Sequence, residues 1–203
     1  MIKAISTEYK GYRFRSRLEA RWAVFFDACR VRWEYEPEGF ELPNGQLYLP
    51  DFLLHGCDGR SPSDLYVEVK GKMTEADAEK IRQFSGITNF ESNKISNPIL
   101  VVAGIPDGDC IEDIEDFCQN LGYSGFHEIK DGLYPFIFLT IDGDYFVAHP
   151  GINKKGRFEL FGDDGNYTYD RDDAATLHAF KMARQARFEH GERPKFRRND
   201  YHA

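Results

Sequence analysis

Pro50-Asp51 and Glu68-Val69-Lys70 place two carboxylates and a lysine on neighbouring extended segments. In a strand, residues two apart share a face, so Glu68 and Lys70 point one way and Val69 the other. If the two segments pair as a hairpin, Asp51 lies beside Glu68. Two carboxylates with a backbone carbonyl form a hard oxygen site that suits Mg²⁺, an ion that keeps several waters and takes phosphate oxygens. A lysine beside such an ion orients or deprotonates an attacking water and offsets charge growing on a phosphate. The plainer alternative is a solvated pair of charges on a strand face. The otherwise apolar run Leu65-Tyr66-Val67-Glu68-Val69-Lys70 argues against it, because a strand of that composition belongs in the interior.

The elements that must hold these residues can be read from periodicity. Leu18, Trp22, Phe25 and Phe26 recur at helical spacing, predicting a helix from Ser16 to about Arg30. Arg32–Leu42 alternates aromatic and acidic residues and reads as a strand whose Pro37 suits an edge or a bend. The turn Pro43-Asn44-Gly45 leads into a second strand, Leu47–His55, and Leu65–Lys70 is a third. Thr74 to about Phe84 opens with an N-cap and acidic residues and reads as a helix. Pro98–Gly104 is apolar enough for a strand buried on both faces, and residues 110–121 fit a short amphipathic helix. Tyr35, Phe40, Tyr48 and Phe52 read as core aromatics, with the option that one or two near the site stack on a splayed base. The order predicts an α/β sandwich built on a mixed sheet over residues 1–121. Residues 122–203 supply strand-like pieces (YPFIFLTI, YFVAHP, RFELFG, NYTYD), expected as an antiparallel extension packed on that core, and a last helix from Asp172 to about His190.

The chain has 203 residues with 41% hydrophobic and 30% charged, enough apolar material for a core and too much for disorder. Its net charge of −8 would normally oppose a polyanionic partner. The charge is unevenly spread, however: residues 1–32 carry eight basic groups against three acidic, and residues 181–203 carry seven against three. Basic ends on an acidic body bring nucleic acid to one face; two solvated basic segments with no partner are the alternative. No apolar run is long enough to span a membrane or direct export, so a cytoplasmic protein is expected. Cys29, Cys57, Cys110 and Cys118 show no C-x-x-C spacing and are expected as reduced thiols. His55, His127, His149, His178, His190 and His202 lack paired metal spacing, and no phosphate-binding Gly-rich loop calls for a nucleotide cofactor.

A further carboxylate, Glu19, stands in Ser16-Arg17-Leu18-Glu19, which is a capping box on its own terms. The series of a helix bearing Glu19, a strand with Pro50-Asp51 and a strand with Glu68-Val69-Lys70-Gly71 resembles the PD-(D/E)XK, restriction-endonuclease-like nuclease superfamily. The likeness is closest to its small phage- and prophage-encoded members and to the endonuclease subunit of heteromeric transposases. It covers about residues 10–105. The resemblance implies hydrolysis of DNA phosphodiesters with Mg²⁺, or Mn²⁺ in its place. Asp51 and Glu68 would bind metal, the Val69 carbonyl would complete the site, Lys70 would position or activate water, and Glu19 would add a carboxylate from the helix. Arg13, Arg15, Arg17 and Arg21 surround the helix start and Lys72 follows Lys70, a placement that would hold a phosphate backbone beside the metal. The tail Arg193–Arg198 is a second such candidate. A homodimer, or association with a partner subunit, is expected of enzymes that cut both strands. Two other readings are kept: a non-catalytic DNA- or protein-binding module on the same core, and an RNA nuclease, since metal-assisted hydrolysis does not itself distinguish the 2′-OH.

Overall fold

The computed structural model describes residues 6–56, 64–71, 73–85, 97–106, 110, 136–139, 145–146, 148–162 and 172–188. The helix expected at 110–121, the NYTYD strand and the tail 193–198 lie outside the described residues, apart from Cys110.

The chain opens with a hairpin, β1 (Thr7–Tyr9) and β2 (Tyr12–Phe14), whose two turn residues Lys10 and Gly11 have φ of 51° and 86°. Positive φ at both central positions matches the turn to the twist of the strands. α1 (Arg17–Ala28) follows, capped by Ser16, whose hydroxyl accepts the Glu19 N–H. The apolar face of α1 is fully withdrawn from water at Trp22, Phe25 and Phe26.

The two long strands expected after α1 are each broken. Arg32–Leu42 divides into β3 (Trp33–Tyr35) and β4 (Phe40–Glu41), because Glu36 takes a left-handed φ of 47° just before Pro37 and turns the chain out of the sheet. Leu47–His55 divides into β5 (Leu47–Tyr48) and β6 (Phe52–Leu54) at Pro50, which has no N–H for a ladder. β4 and β5 pair as a small hairpin across Gly45, whose φ is 79°. β7 (Leu65–Val69) pairs with β6 as expected, with Phe52 opposite Val67 and Leu54 opposite Leu65.

α2 (Glu75–Ser85) begins at a reciprocal cap: Thr74 Oγ1 accepts the Asp77 N–H at 3.2 Å and Asp77 accepts the Thr74 N–H at 3.1 Å. β8 (Ile99–Val102) runs parallel to β7 and is buried at every position, so it alternates no polar residue. The strands expected as an antiparallel C-terminal extension packed on the core split. β9 (Phe136–Leu139) and β10 (Tyr145–Phe146) join the central sheet beside β8, giving the order β10-β9-β8-β7-β6-β3. β11 (Ala148–Ile152) and β12 (Phe158–Gly162) form their own hairpin. α3 (Asp173–Gln185), capped by Asp172, closes the described chain.

One face of the central sheet packs Phe52, Leu54, Leu65, Val67, Leu100 and Val102 against α1 and α3, where Phe25 stacks on Phe180 at 4.6 Å. The alternate residues Tyr66, Ile99 and Val101 face α2 through Ala78, Ile81 and Phe84. The molecule is thus a mixed α/β fold, with helices on both faces of a mixed sheet.

Candidate functional site

The period-two alternation of β7 decides where the charges go. Val67 and Val69 fill the α1 side, which turns Glu68 and Lys70 to the α2 side. The register of β6 with β7 carries Asp51 to the position opposite Glu68, and the Asp51 N–H donates to the Val67 carbonyl at 3.1 Å. Asp51 and Glu68 are 3% and 4% exposed, and Glu19, from the first turn of α1, is 6% exposed. The structure therefore sets Asp51 opposite Glu68 and buries all three of the carboxylates that the sequence singled out.

Each oxygen of these groups has a partner. Asp51 Oδ2 accepts the Val69 N–H at 2.7 Å, and Asp51 Oδ1 is paired with Arg15 Nη2. Glu68 Oε1 meets Lys70 Nζ at 2.8 Å, and Glu68 Oε2 accepts the Tyr48 hydroxyl at 2.8 Å. Glu19 Oε1 accepts from Ser16 Oγ at 2.7 Å, while Oε2 accepts the Tyr35 hydroxyl at 2.6 Å and the Arg15 N–H at 3.1 Å. Half of the capping box read from the sequence is present: Ser16 Oγ accepts the Glu19 N–H, while Glu19 takes the N–H of Arg15 in place of that of Ser16. Arg15 Nε also pairs with Glu36 at 2.9 Å, and Lys70 with Asp77 at 3.3 Å.

The electrostatics follow from burial. Withdrawal from water, strengthened by repulsion from Glu68 and Glu19, pushes the Asp51 carboxyl up to about 8 despite the opposing Val69 N–H and Arg15. Burial also works against the Lys70 charge, but attraction to Glu68, Asp77 and Asp51 outweighs it and raises the ammonium above its ordinary value. Lys70 is therefore a fixed cation at neutral pH. Burial and the adjacent Glu68 likewise push the Tyr48 phenol well up, so its proton stays on the oxygen and is donated.

Two cations meet four carboxylates, Arg15 on Glu36 and Asp51 and Lys70 on Glu68 and Asp77, and a fifth, Glu19, takes the backbone N–H of Arg15. These hard oxygen donors and the excess of negative charge fit a small divalent cation. Among the described residues no three His, Cys, Asp or Glu side chains are gathered as a ready metal cluster. Asp51 and Glu68 instead each give one oxygen to a basic side chain and the other to a neutral donor.

Of the expected nucleic-acid contacts, Arg13 lies on β2 with Nε on Ser6 at 3.1 Å. Arg17 and Arg21 are half-buried on α1, each with a buried Nε that meets no hydrogen-bond acceptor among the described residues. Arg15 lies in the carboxylate network itself, and Lys72 is outside the described residues. Glu36 and Asp77 were not expected at the site, and Tyr35 and Tyr48 were expected as core aromatics whose option at the site was base stacking, not a hydrogen bond to a carboxylate. The rings of Tyr35 and Tyr48 do pack in the core, at 4.4 Å from Phe14 and 4.8 Å from Phe84, as their apolar bodies predict. Only the hydroxyls reach the carboxylates, and in sequence the one hint is that Tyr48 stands three residues before Asp51.

No protein-family model matches the chain, and no curated protein matches it. Among the described residues no helix is long and apolar enough to cross a membrane.

Proposed function

We propose that the protein is a metal-dependent nuclease that hydrolyses DNA phosphodiester bonds, built on a restriction-endonuclease-like core. The observation that carries this reading is the buried juxtaposition of Asp51 and Glu68 on adjacent strands, with Lys70 held on Glu68 at 2.8 Å. Asp51, Glu68, the Val69 carbonyl and Glu19 would hold Mg²⁺ or Mn²⁺, which supplies Lewis-acid polarisation of the phosphoryl oxygen when bound. Lys70, protonated and fixed between Glu68 and Asp77, orients the attacking water and offsets charge growing on the phosphate. Its raised affinity for a proton makes it a cation in this step rather than the base. Water oxygen bonds to phosphorus and its proton passes to solvent, the phosphorus bond to the leaving sugar oxygen breaks, and that oxygen is protonated from solvent. Tyr48 and Tyr35 hold Glu68 and Glu19 in fixed orientations through their hydroxyls.

The test is incubation of supercoiled plasmid and a structured RNA with the protein in Mg²⁺, Mn²⁺ or EDTA. Nicking of the plasmid that requires metal supports the reading, and metal-dependent cleavage of the RNA alone moves the substrate to RNA. A second reading, a binding module without catalysis, is favoured by one observation: Arg15 and Lys70 already occupy one oxygen each of Asp51 and Glu68, as structural pairs do. Duplex binding without cleavage under any of these ions would select it.

A further inference from the structure

Arg15 stands where two functions meet. Its Nη2 is on Asp51 Oδ1, and the other Asp51 oxygen is fixed by the Val69 N–H at 2.7 Å. A divalent cation on Asp51 Oδ1 would stand beside the Arg15 guanidinium, and repulsion between the two positive charges favours release of that oxygen by Arg15. The guanidinium would not then be free to swing away, because its Nε is held by Glu36 Oε1 at 2.9 Å. Glu36 is itself fixed: its N–H donates to the Asp51 carbonyl at 2.9 Å, and its φ of 47° is an unusual conformation for a residue with a side chain. The side chain of Arg15 is 57% exposed, so it is accessible from solvent although its partner Asp51 is buried. An arginine fork with one edge anchored and the other open matches the geometry of a phosphate.

We propose that Arg15 is an exchangeable partner of Asp51 that couples metal binding to DNA binding. Without metal it occupies Asp51 Oδ1 and contributes nothing to DNA affinity; when Asp51 accepts a divalent cation, Arg15 turns its Nη edge to a backbone phosphate while Glu36 retains Nε. The proposal rests on the assignment of Asp51 and Glu68 as metal ligands. It differs from a simple basic patch in two ways. Arg15 opposes metal binding in the absence of DNA, and it supports DNA binding only in the presence of metal. Because coupling between two ligands is reciprocal, DNA must raise metal affinity by the factor that metal raises DNA affinity.

The experiment measures Mg²⁺ affinity by isothermal titration calorimetry without DNA, and duplex affinity by fluorescence anisotropy with EDTA or with Ca²⁺, a cation of the same oxygen preference. Wild type is compared with Arg15→Gln, with Arg15→Lys, and with Arg13→Gln as a control for loss of one nearby positive charge. Arg15→Gln should bind Mg²⁺ about 5-fold or more tightly than wild type, the low end of ordinary site-to-site coupling. It should lose duplex affinity in Ca²⁺ and keep wild-type affinity in EDTA. Arg15→Lys, which keeps the charge but lacks the fork, should restrain Mg²⁺ as wild type does and still lose the gain in duplex affinity with Ca²⁺. Equal Mg²⁺ affinity in Arg15→Gln and wild type, an equal gain in Arg13→Gln, or loss of duplex affinity in EDTA overturns the exchange while leaving the nuclease reading intact. Absence of Mg²⁺ binding in wild type overturns both.

Discussion

Tyr48 donates its hydroxyl to Glu68 Oε2 at 2.8 Å from within the aromatic cluster that packs on α2, so a core residue fixes the orientation of a site carboxylate. Glu68 is held on its other oxygen by Lys70, and both of its directions are thereby set.

Removing that hydroxyl leaves Glu68 Oε2 buried without its donor, while the ring of Tyr48→Phe still fills its place against Phe84. A hydrogen bond to a charged group contributes about 1.5–3 kcal/mol. Tyr48→Phe is therefore expected to lose roughly that amount of unfolding free energy, measured by urea denaturation without metal, and to need a higher Mg²⁺ concentration for half-maximal plasmid nicking. Unchanged stability together with an unchanged Mg²⁺ requirement would remove Tyr48 from the site.

The raised Asp51 carboxyl predicts an unusual stability profile. Between its ordinary value of 3.8 and about 8 the folded chain keeps a proton that the unfolded chain has lost. The stabilisation is fully present below about 4 and is lost as pH rises toward 8. Metal-free protein should thus melt at a lower temperature at pH 8.5 than at pH 5.5, with the difference reduced in Asp51→Asn. Mg²⁺ affinity should rise over the same interval, since the ion and the proton compete for one carboxylate. A difference in melting temperature that Asp51→Asn leaves unaltered would contradict this account.

The stacking of Phe25 on Phe180 ties α1, which carries Glu19, to α3. Both rings are fully buried, and a phenylalanine-to-alanine change in such a core costs about 3–5 kcal/mol. Phe25→Ala should lower the denaturant midpoint accordingly, whereas Leu47→Ala, at an 81% exposed position, should leave it nearly unchanged.

Much of the site was legible because it depends on local rules. Alternation along Leu65–Val69 puts Glu68 and Lys70 on one face, and the antiparallel pairing of the consecutive strands β6 and β7 sets Asp51 against Glu68. Helical spacing of Trp22, Phe25 and Phe26 likewise locates α1 and its buried stripe. What was not legible depends on single backbone angles or on distant pairing. The left-handed turn at Glu36 breaks an apparently continuous strand; Pro37 suggested a bend there, but nothing local announces the positive φ. The pairing of β9 with β8 joins residues more than thirty positions apart, so a local pattern could only identify a strand and not its neighbour. The role of Arg15 was hidden for a related reason. Its charge suggested phosphate, and only the folded chain shows Asp51 and Glu36 on either edge of its guanidinium.

The central claim is that Asp51, Glu68 and Lys70 act together on a phosphodiester. The most direct measurement compares wild type, Asp51→Ala and Lys70→Ala for cleavage of supercoiled plasmid and of a branched DNA junction in Mg²⁺, with each variant shown to be folded by circular dichroism. The account predicts metal-dependent cleavage by wild type and a loss of about 100-fold or more in each folded variant, the scale of removing a charge that stabilises a transition state. Cleavage that persists in both variants, or a folded wild type that cuts neither DNA with Mg²⁺, would contradict it.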